Sequence, residues 1–254
     1  VFTPFWKTCL SSIEVHDEQN VSNWPSSPEL QSDSIDEWDL LPTNPNWAAS
    51  FSNFWQPGES SALKKLEQFI ESNLNNYKTG RDTPSKEATS KLSPHLHFGE
   101  ISPHQIWRAI QNLKGQADFK TNAIETYLSE IGWREFCHYL LFHFPKLAQN
   151  NFRDKFDNFQ WSFDEEQFNC WKKGLTGFPI VDAGMRELWH SGYMHNRVRM
   201  IVASFLTKDL LIDWRKGAEW FEHTLLDADL ANNRAGWQWT AGCGADAAPF
   251  FRVF

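Results

Sequence analysis

Five stretches of the sequence carry residue types that chemistry needs. Thr89, Ser90 and Ser93 place three hydroxyls within five positions, after the turn-rich segment Gly80-Arg81-Asp82-Thr83-Pro84. Hydroxyls beside backbone N–H groups in a turn can hold a phosphate, although a Ser/Thr-rich helix cap is the commoner use. Glu130, Trp133 and Arg134 are spaced three and four apart and share one helical face. A carboxylate beside a flat indole suits a planar polar ligand such as a nucleobase. The plainer alternative is a Glu130–Arg134 ion pair with Trp133 as core filler. Asn196, Arg199 and Met200 share another face, with Arg197 directed elsewhere and His195 read as a structural histidine. Asp227, Asp229, Asn232 and Asn233 fall within seven residues. They suit a polar cluster facing a heteroaromatic ring, or a solvated turn; a calcium loop would need a Gly and a terminal Glu that are missing. Trp237-Gln238-Trp239, with Trp214 and Trp161 upstream, suits either a relay for an electron hole or ordinary aromatic packing.

These residues must be positioned by helices. SALKKLEQFIESNLNNY sets Leu63, Leu66, Phe69, Ile70 and Leu74 at spacings of three and four. Ser102 with Gln105, and Ser162 with Glu165, read as capping boxes. The stretch from Asp118 to Phe144 is long and mostly periodic, and Gly192 reads as a helix stop. No sustained period-two alternation follows residue 60, so the expected class is all-α. Residues 1–58, rich in Ser, Pro, Asn and Asp with scattered Trp, read as a largely irregular connector, and residues 59–254 as a helical domain.

Composition narrows the function. The 254 residues carry a net charge of −8; residues 1–75, with three Lys against eleven Asp and Glu, account for all of it. A globally basic nucleic-acid binder is excluded, a local basic patch is not. No apolar run is long enough to span a membrane, and the first residues carry no secretory signal. The four Cys are scattered without metal-ligand or disulfide spacing, so reduced cytosolic thiols are expected. The Gly-rich phosphate loops, the zinc-binding HExxH and the GxSxG nucleophile elbow are absent. Trp is unusually frequent, at 14 residues, and burial alone does not require it, because Leu and Phe fill a core without an indole N–H to satisfy.

Taken together, TSKLSPHLHFGEIS, EIGWREF, GLTGFPIVDAGMRELWHSGYMHNRVRM and DADLANNRAGWQWTAGCGADAAPFFRVF resemble, in order and spacing, the cryptochrome/photolyase family. Within it the likeness is greatest to the bacterial class I cyclobutane pyrimidine dimer photolyases, and it runs from Tyr77 to Phe254. The resemblance implies a helical bundle holding FAD bent into a U. Tyr77, Thr89, Ser90, Leu92 and Ser93 match positions on the diphosphate and ribose side. Asn196, Arg199, Asp227, Asp229 and Asn233 match those around the isoalloxazine, with Asn233 facing flavin N5. Glu130, Trp133, Asn196, Met200 and Trp239 match the walls that receive a flipped-out dimer. Arg81 and Arg197 match positions near the DNA phosphates, and Trp237, Trp214 and Trp161 a relay from flavin to surface.

The implied activity is light-driven repair of DNA containing pyrimidine dimers, with fully reduced FAD as electron donor and Glu130 bonded to the dimer; the alternative is a cryptochrome-like receptor that binds FAD without repair. Asn196 and Met200, where related enzymes for the other pyrimidine photoproduct carry paired histidines, favour the cyclobutane substrate. Asn233 is the repair-type residue where plant and animal cryptochromes typically carry Asp or Cys. A monomeric bacterial cytoplasmic enzyme is expected. Nothing resembles the family's N-terminal α/β antenna domain, so the sequence reads as a fragment to which no antenna chromophore can be assigned.

Overall fold

The structure, a computed structural model, describes residues 1–14, 23 and 25–247. The connector residues 15–22 with Trp24, and the end of the last motif from residue 248 to Phe254, lie outside the described residues. Among the described residues every regular element is helical, as the periodicity requires.

The first segment departs from the irregular chain expected there. Phe2–Ser12 forms a helix, α1. Phe2, Phe5 and Trp6 are spaced three and four apart, and Pro4 falls in the first turn, where its missing N–H removes no helical bond. The partner of this short face lies far along the chain, which is why the local sequence does not announce it. The helices that follow are α2 (Glu59–Ser72), α3 (Tyr77–Gly80), α4 (Ser93–His97), α5 (Pro103–Gln111), α6 (Thr121–His143), α7 (Glu165–Lys173), α8 (Pro179–Ser191), α9 (Asn196–Ser204), α10 (Trp214–Thr224) and α11 (Leu230–Ala241). A π-helical turn, Phe205–Asp209, extends α9. Residues 25–58 form only two 3-10 turns, Ile35–Trp38 and Phe51–Asn53. They are fastened to the end of α8, where Trp47 stacks on Trp189 at 5.6 Å and the Trp55 indole donates to the Ser191 carbonyl at 2.7 Å.

Helix ends follow local chemistry. The Ser102 side chain accepts from the Gln105 backbone at 3.1 Å while the Gln105 side chain accepts from the Ser102 backbone at 2.8 Å, the expected capping box of α5. Helix α8 stops at Gly192, whose φ of 68° is the left-handed conformation that glycine takes without strain. The start of α7 differs from expectation. Asp164, not Ser162, is the cap, accepting from Gln167 N–H at 3.0 Å; the Ser162 N–H is already committed to the Leu211 carbonyl at 2.8 Å.

Three apolar clusters hold the helices. One gathers Trp171, Met185, Leu188, Val202, Leu206, Trp214, Phe221 and Trp237 from α7 to α11. A second gathers Leu66, Phe69, Leu74, Ile106, Ile110, Ile124 and Leu128 from α2 and the 3-10 turn after it, α5 and the first half of α6. A third joins Phe2 of α1 to Phe136 and Leu140 in the second half of α6, with Leu147. Helix α6 thus contributes to two clusters, and the facing sides of α6, α9 and α11 leave a hollow between them. No helix among the described residues is long and apolar enough to cross a membrane.

Candidate functional site

The hollow is a cavity of about 550 Å³, within the range of small-molecule and cofactor sites. Its walls are the Thr89–Ser93 loop, α6, α9, α11 and the Leu225–Asp229 loop. The residues that the resemblance assigns to a site line it except Trp214 and Trp161; His195, read as structural, does not line it.

One wall is built around Arg199 and Asp227. These residues come from α9 and the loop before α11, and Arg199 Nη2 donates to Asp227 Oδ2 at 2.9 Å. Arg199 Nε donates to the Met194 carbonyl at 2.7 Å, and Ser93 Oγ donates to the same Asp227 oxygen at 2.5 Å. Burial works against the guanidinium charge, but the Asp227 carboxylate outweighs it and holds the Arg199 pKa above its ordinary value. The other Asp227 oxygen, Oδ1, is buried without a hydrogen-bond partner, and so is the Trp237 indole N–H. Asp229 caps α11 by accepting from Asn232 N–H at 2.8 Å, and its second oxygen lies 3.3 Å from His138 Nε2 of α6. Burial disfavours the Asp229 carboxylate, but these bonds prevail and set its pKa below the ordinary range. The bond to Asp229 raises the pKa of His138 in turn. The two carboxylates therefore serve different partners, unlike those of a cation loop. Asn233 donates its amide to the Ala218 carbonyl at 2.8 Å, which turns its oxygen away from α10.

The hydroxyl loop forms an adjoining wall. Ser90 bonds Tyr127 of α6 and Thr89 bonds Tyr193, two tyrosines whose role no local sequence signal revealed. Burial pushes the Tyr127 phenol up to about 12 and also raises that of Tyr77, so both stay protonated. Lys91 takes a φ of 50°, the left-handed turn that lets the chain reverse between Ser90 and Leu92.

The third wall carries Glu130 and Trp133 of α6, Met200 of α9 and Trp239 of α11. The plain i,i+4 pairing does not form. Glu130 is bonded by Arg81 from the end of α3, while Arg134 bonds Glu135 at 3.0 Å. Arg81 thus sits on the carboxylate, with 15% of its side chain exposed. Arg197 lies nearer solvent, bonded to Asp82 at 2.8 Å. Asn196 lines the cavity and is exposed.

The tryptophans divide. Trp237 lines the cavity and lies so close to Gly217 of α10 that a Cβ there would overlap its ring. Its ring neighbours are Phe221 at 5.1 Å and Trp171 at 6.2 Å. Trp171 is a fully buried residue that the sequence offered only as one indole among many. Trp214 and Trp161 lie in the same apolar cluster but outside the cavity; the Trp214 indole donates to Asn151 Oδ1 at 2.9 Å. Gln238, between the two tryptophans of α11, is fully buried and satisfied by Leu147, Asn150 and Phe152, which pins the helix that carries them.

Residues 127–254 match the family described as the FAD binding domain of DNA photolyase. The chain belongs to the photolyase/cryptochrome family. A deoxyribodipyrimidine photo-lyase of Agrobacterium fabrum is 54% identical over 256 residues, which cover 100% of this chain and 53% of the relative. The crystal structure of a bacterial class III photolyase from Agrobacterium tumefaciens aligns with a TM-score of 0.89 at 54% identity, over 100% of this chain and 53% of that one. The crystal structure of a Synechocystis cryptochrome aligns with a TM-score of 0.72 at 37% identity, over 78% and 41% of the two chains. One structure is of a class III photolyase and the other of a cryptochrome, so the likeness gives the family and does not separate class I from class III. The chain spans about half the length of the curated relatives it matches along its whole length.

The residues present fit the photolyase family's flavin dinucleotide. A buried carboxylate oxygen and a buried indole N–H stand without partners in residues that line the cavity. Such atoms are costly unless a ligand completes them. Arg199 and the α11 side-chain amides carry N–H groups beyond those already bonded, the donors that a pyrophosphate and a heteroaromatic ring edge require.

Proposed function

We propose that the chain binds FAD in this cavity and takes part in the light-driven splitting of cyclobutane pyrimidine dimers in DNA. The observation that carries the reading is the union, in one cavity, of the Arg199–Asp227 wall with its unpartnered Asp227 oxygen and the Glu130, Trp133, Met200 and Trp239 wall. Bound in its reduced form, FAD supplies the chemistry, a light-excited electron that opens the cyclobutane ring and then returns.

The chain's own residues position and stabilise. Thr89, Ser90, Leu92, Ser93 and Tyr77 line the diphosphate and ribose side. Asn196, Arg199, Asp227, Asp229 and Asn233 would hold the ring, with Arg199 orienting Asp227 so that its unpartnered Oδ1 would accept an N–H from the ring edge. Trp133 and Trp239 stack on the extruded bases, and Met200 fills the space between walls. Glu130, held by Arg81, hydrogen-bonds the dimer and offsets the charge that accumulates on it. Arg197 contacts the DNA backbone, and its weak bond to exposed Asp82 is easily exchanged for a phosphate. Extrusion is helped because a dimer is already poorly stacked. Trp237, Trp214 and Trp161, in one apolar cluster, would relay electrons from the surface toward the cavity.

The test is repair itself. A thymine-dimer oligonucleotide incubated with the flavin-loaded protein and reductant under blue light should regain its thymines. Flavin reduction without restored thymines would contradict repair and favour the photoreceptor reading, for which the likeness to a cryptochrome speaks.

A further inference from the structure

The indole N–H of Trp214 is held by an amide. Trp214 is fully buried at the start of α10, and its Nε1 donates to Asn151 Oδ1 at 2.9 Å. An indole nitrogen only donates, so the amide must present its oxygen there and turn its NH2 elsewhere. That NH2 has an acceptor: Asn151 Nδ2 donates to Asp157 Oδ1 at 2.6 Å. The order from the core outward is indole, amide, carboxylate, and Asp157 is exposed.

The amide is fixed along the chain on both sides. Gln238 Nε2 donates to the Asn150 carbonyl at 3.0 Å, and the Phe152 N–H donates to Gln238 Oε1 at 2.8 Å. The residues that flank Asn151 are thus pinned by the side chain that follows Trp237. Asn151 is itself 6% exposed, which shields the bond from bulk water. A cation completes the setting. The Arg215 guanidinium lies 4.8 Å from the Trp214 ring centroid, donates to the Gln149 carbonyl at 2.6 Å and is paired with Asp213 at 3.0 Å.

We infer that Asn151 is a positioning residue for the relay: by giving the Trp214 N–H an amide oxygen in place of the carboxylate behind it, it keeps the proton on the indole when Trp214 loses an electron. The inference rests on the reading that Trp214 stands in the path of electrons toward the flavin. When Trp237 has given one electron to the light-excited flavin, Trp214 restores it with one of its own. Trp161, which is partly exposed, restores Trp214, and a thiol in solution supplies the last electron. At Trp214 only the electron moves. No N–H bond breaks, because an amide oxygen accepts a hydrogen bond but is too weak a base to take the proton near neutral pH. A carboxylate in its place would take it. The indole would then be a neutral radical, whose reduction must recover the proton, and the electron vacancy would stop there. Arg215 sharpens the contrast. Its charge over the ring disfavours a positive charge on Trp214, so the vacancy moves on to Trp161; the same repulsion would expel the proton if a base were in reach.

Flash spectroscopy of the flavin-loaded protein tests this in a Trp161→Phe background, where the vacancy goes no further than Trp214. The radical cation and the neutral radical of tryptophan have different visible spectra. With Asn151 in place, the radical should form and decay as the cation. The double variant Asn151→Asp/Asp157→Asn exchanges the two groups at constant shape and net charge, and puts a carboxylate on the indole. There the cation should give way to the neutral radical, and with Trp161 restored most of the yield of light-driven flavin reduction should be lost. A neutral radical in the protein that keeps Asn151 overturns the inference, a measurement that needs no change at Asn151. A cation that persists in the exchange variant also overturns it, since the group on the indole N–H would then not decide where the proton goes. If Trp214→Phe leaves the radical spectrum and flavin reduction of the wild type unchanged, both this inference and the place of Trp214 in the relay fall.

Discussion

The two charged walls of the cavity hold their carboxylates differently. On one, Asp227 is 3% exposed in its side chain and bonded by Arg199 and Ser93, with one oxygen left without a partner. On the other, Glu130 is 29% exposed and bonded by Arg81, an arginine from a short helix beside the opening. The first arrangement is costly without a ligand, which suits a cofactor that stays. The second is tolerable in water, which suits a substrate that arrives and leaves. The same pair of residue types serves both, and burial decides which duty each performs.

The largest effect should come from breaking the buried wall. Arg199→Ala leaves the Asp227 charge uncompensated and should cost about 3–5 kcal/mol, read as a lower urea midpoint, together with loss of flavin absorption. A variant that unfolds at the wild-type midpoint and stays yellow would erase the distinction between the walls. Next comes Gly217→Ala, which drives a methyl group into the Trp237 ring. Thermal unfolding should show a loss of about 1–3 kcal/mol, the usual cost of overpacking a core. Removing the carboxylate on the other wall should separate activity from stability. Glu130→Ala should lower repair yield while keeping flavin, and shift the urea midpoint by less than about 1 kcal/mol, because the pair is partly solvated. Trp237→Phe should slow light-driven flavin reduction with little change in dimer binding; an unchanged rate would make Trp237 a packing residue only.

The smallest effect concerns His138 and Asp229, the partly exposed pair that links α6 to the start of α11. The raised His138 pKa means that its contribution is complete below the ordinary imidazole value of 6.5 and is lost as pH rises through the folded value. The depressed Asp229 pKa means that its contribution is present above the ordinary 3.8 and is lost as pH falls toward the folded value. His138→Gln should therefore flatten the stability decline as pH rises above 6.5 by roughly half a kcal/mol, a value discounted for solvent screening. Identical pH profiles for the variant and wild type would remove this pair from the account.

What the sequence made legible was local or periodic. The face shared by Asn196, Arg199 and Met200, the Ser102–Gln105 cap and the Gly192 stop depend on residues within a turn or two, and the structure forms each. The failures have one cause, partners distant in sequence. The plainer alternative for Glu130, a pair with Arg134 four residues on, gives way to Arg81, which reaches it from the end of α3. Helix α1 looked irregular because Gly132 and Phe136, which receive it, lie on α6. Asp164 rather than Ser162 caps α7, because its carboxylate takes the Gln167 N–H while Ser162 is tied by its backbone to Leu211 outside the helix. Trp171, Tyr127 and Tyr193 gave no signal as single residues, since only tertiary packing sets them beside Trp237, Ser90 and Thr89.

The central claim is that the space between α6, α9 and α11 is made for a flavin dinucleotide. A visible absorption titration of the purified protein with FAD tests it most directly. The account predicts flavin bands that saturate at one FAD per chain and disappear in Arg199→Ala. A colourless protein that takes up no added FAD would contradict it.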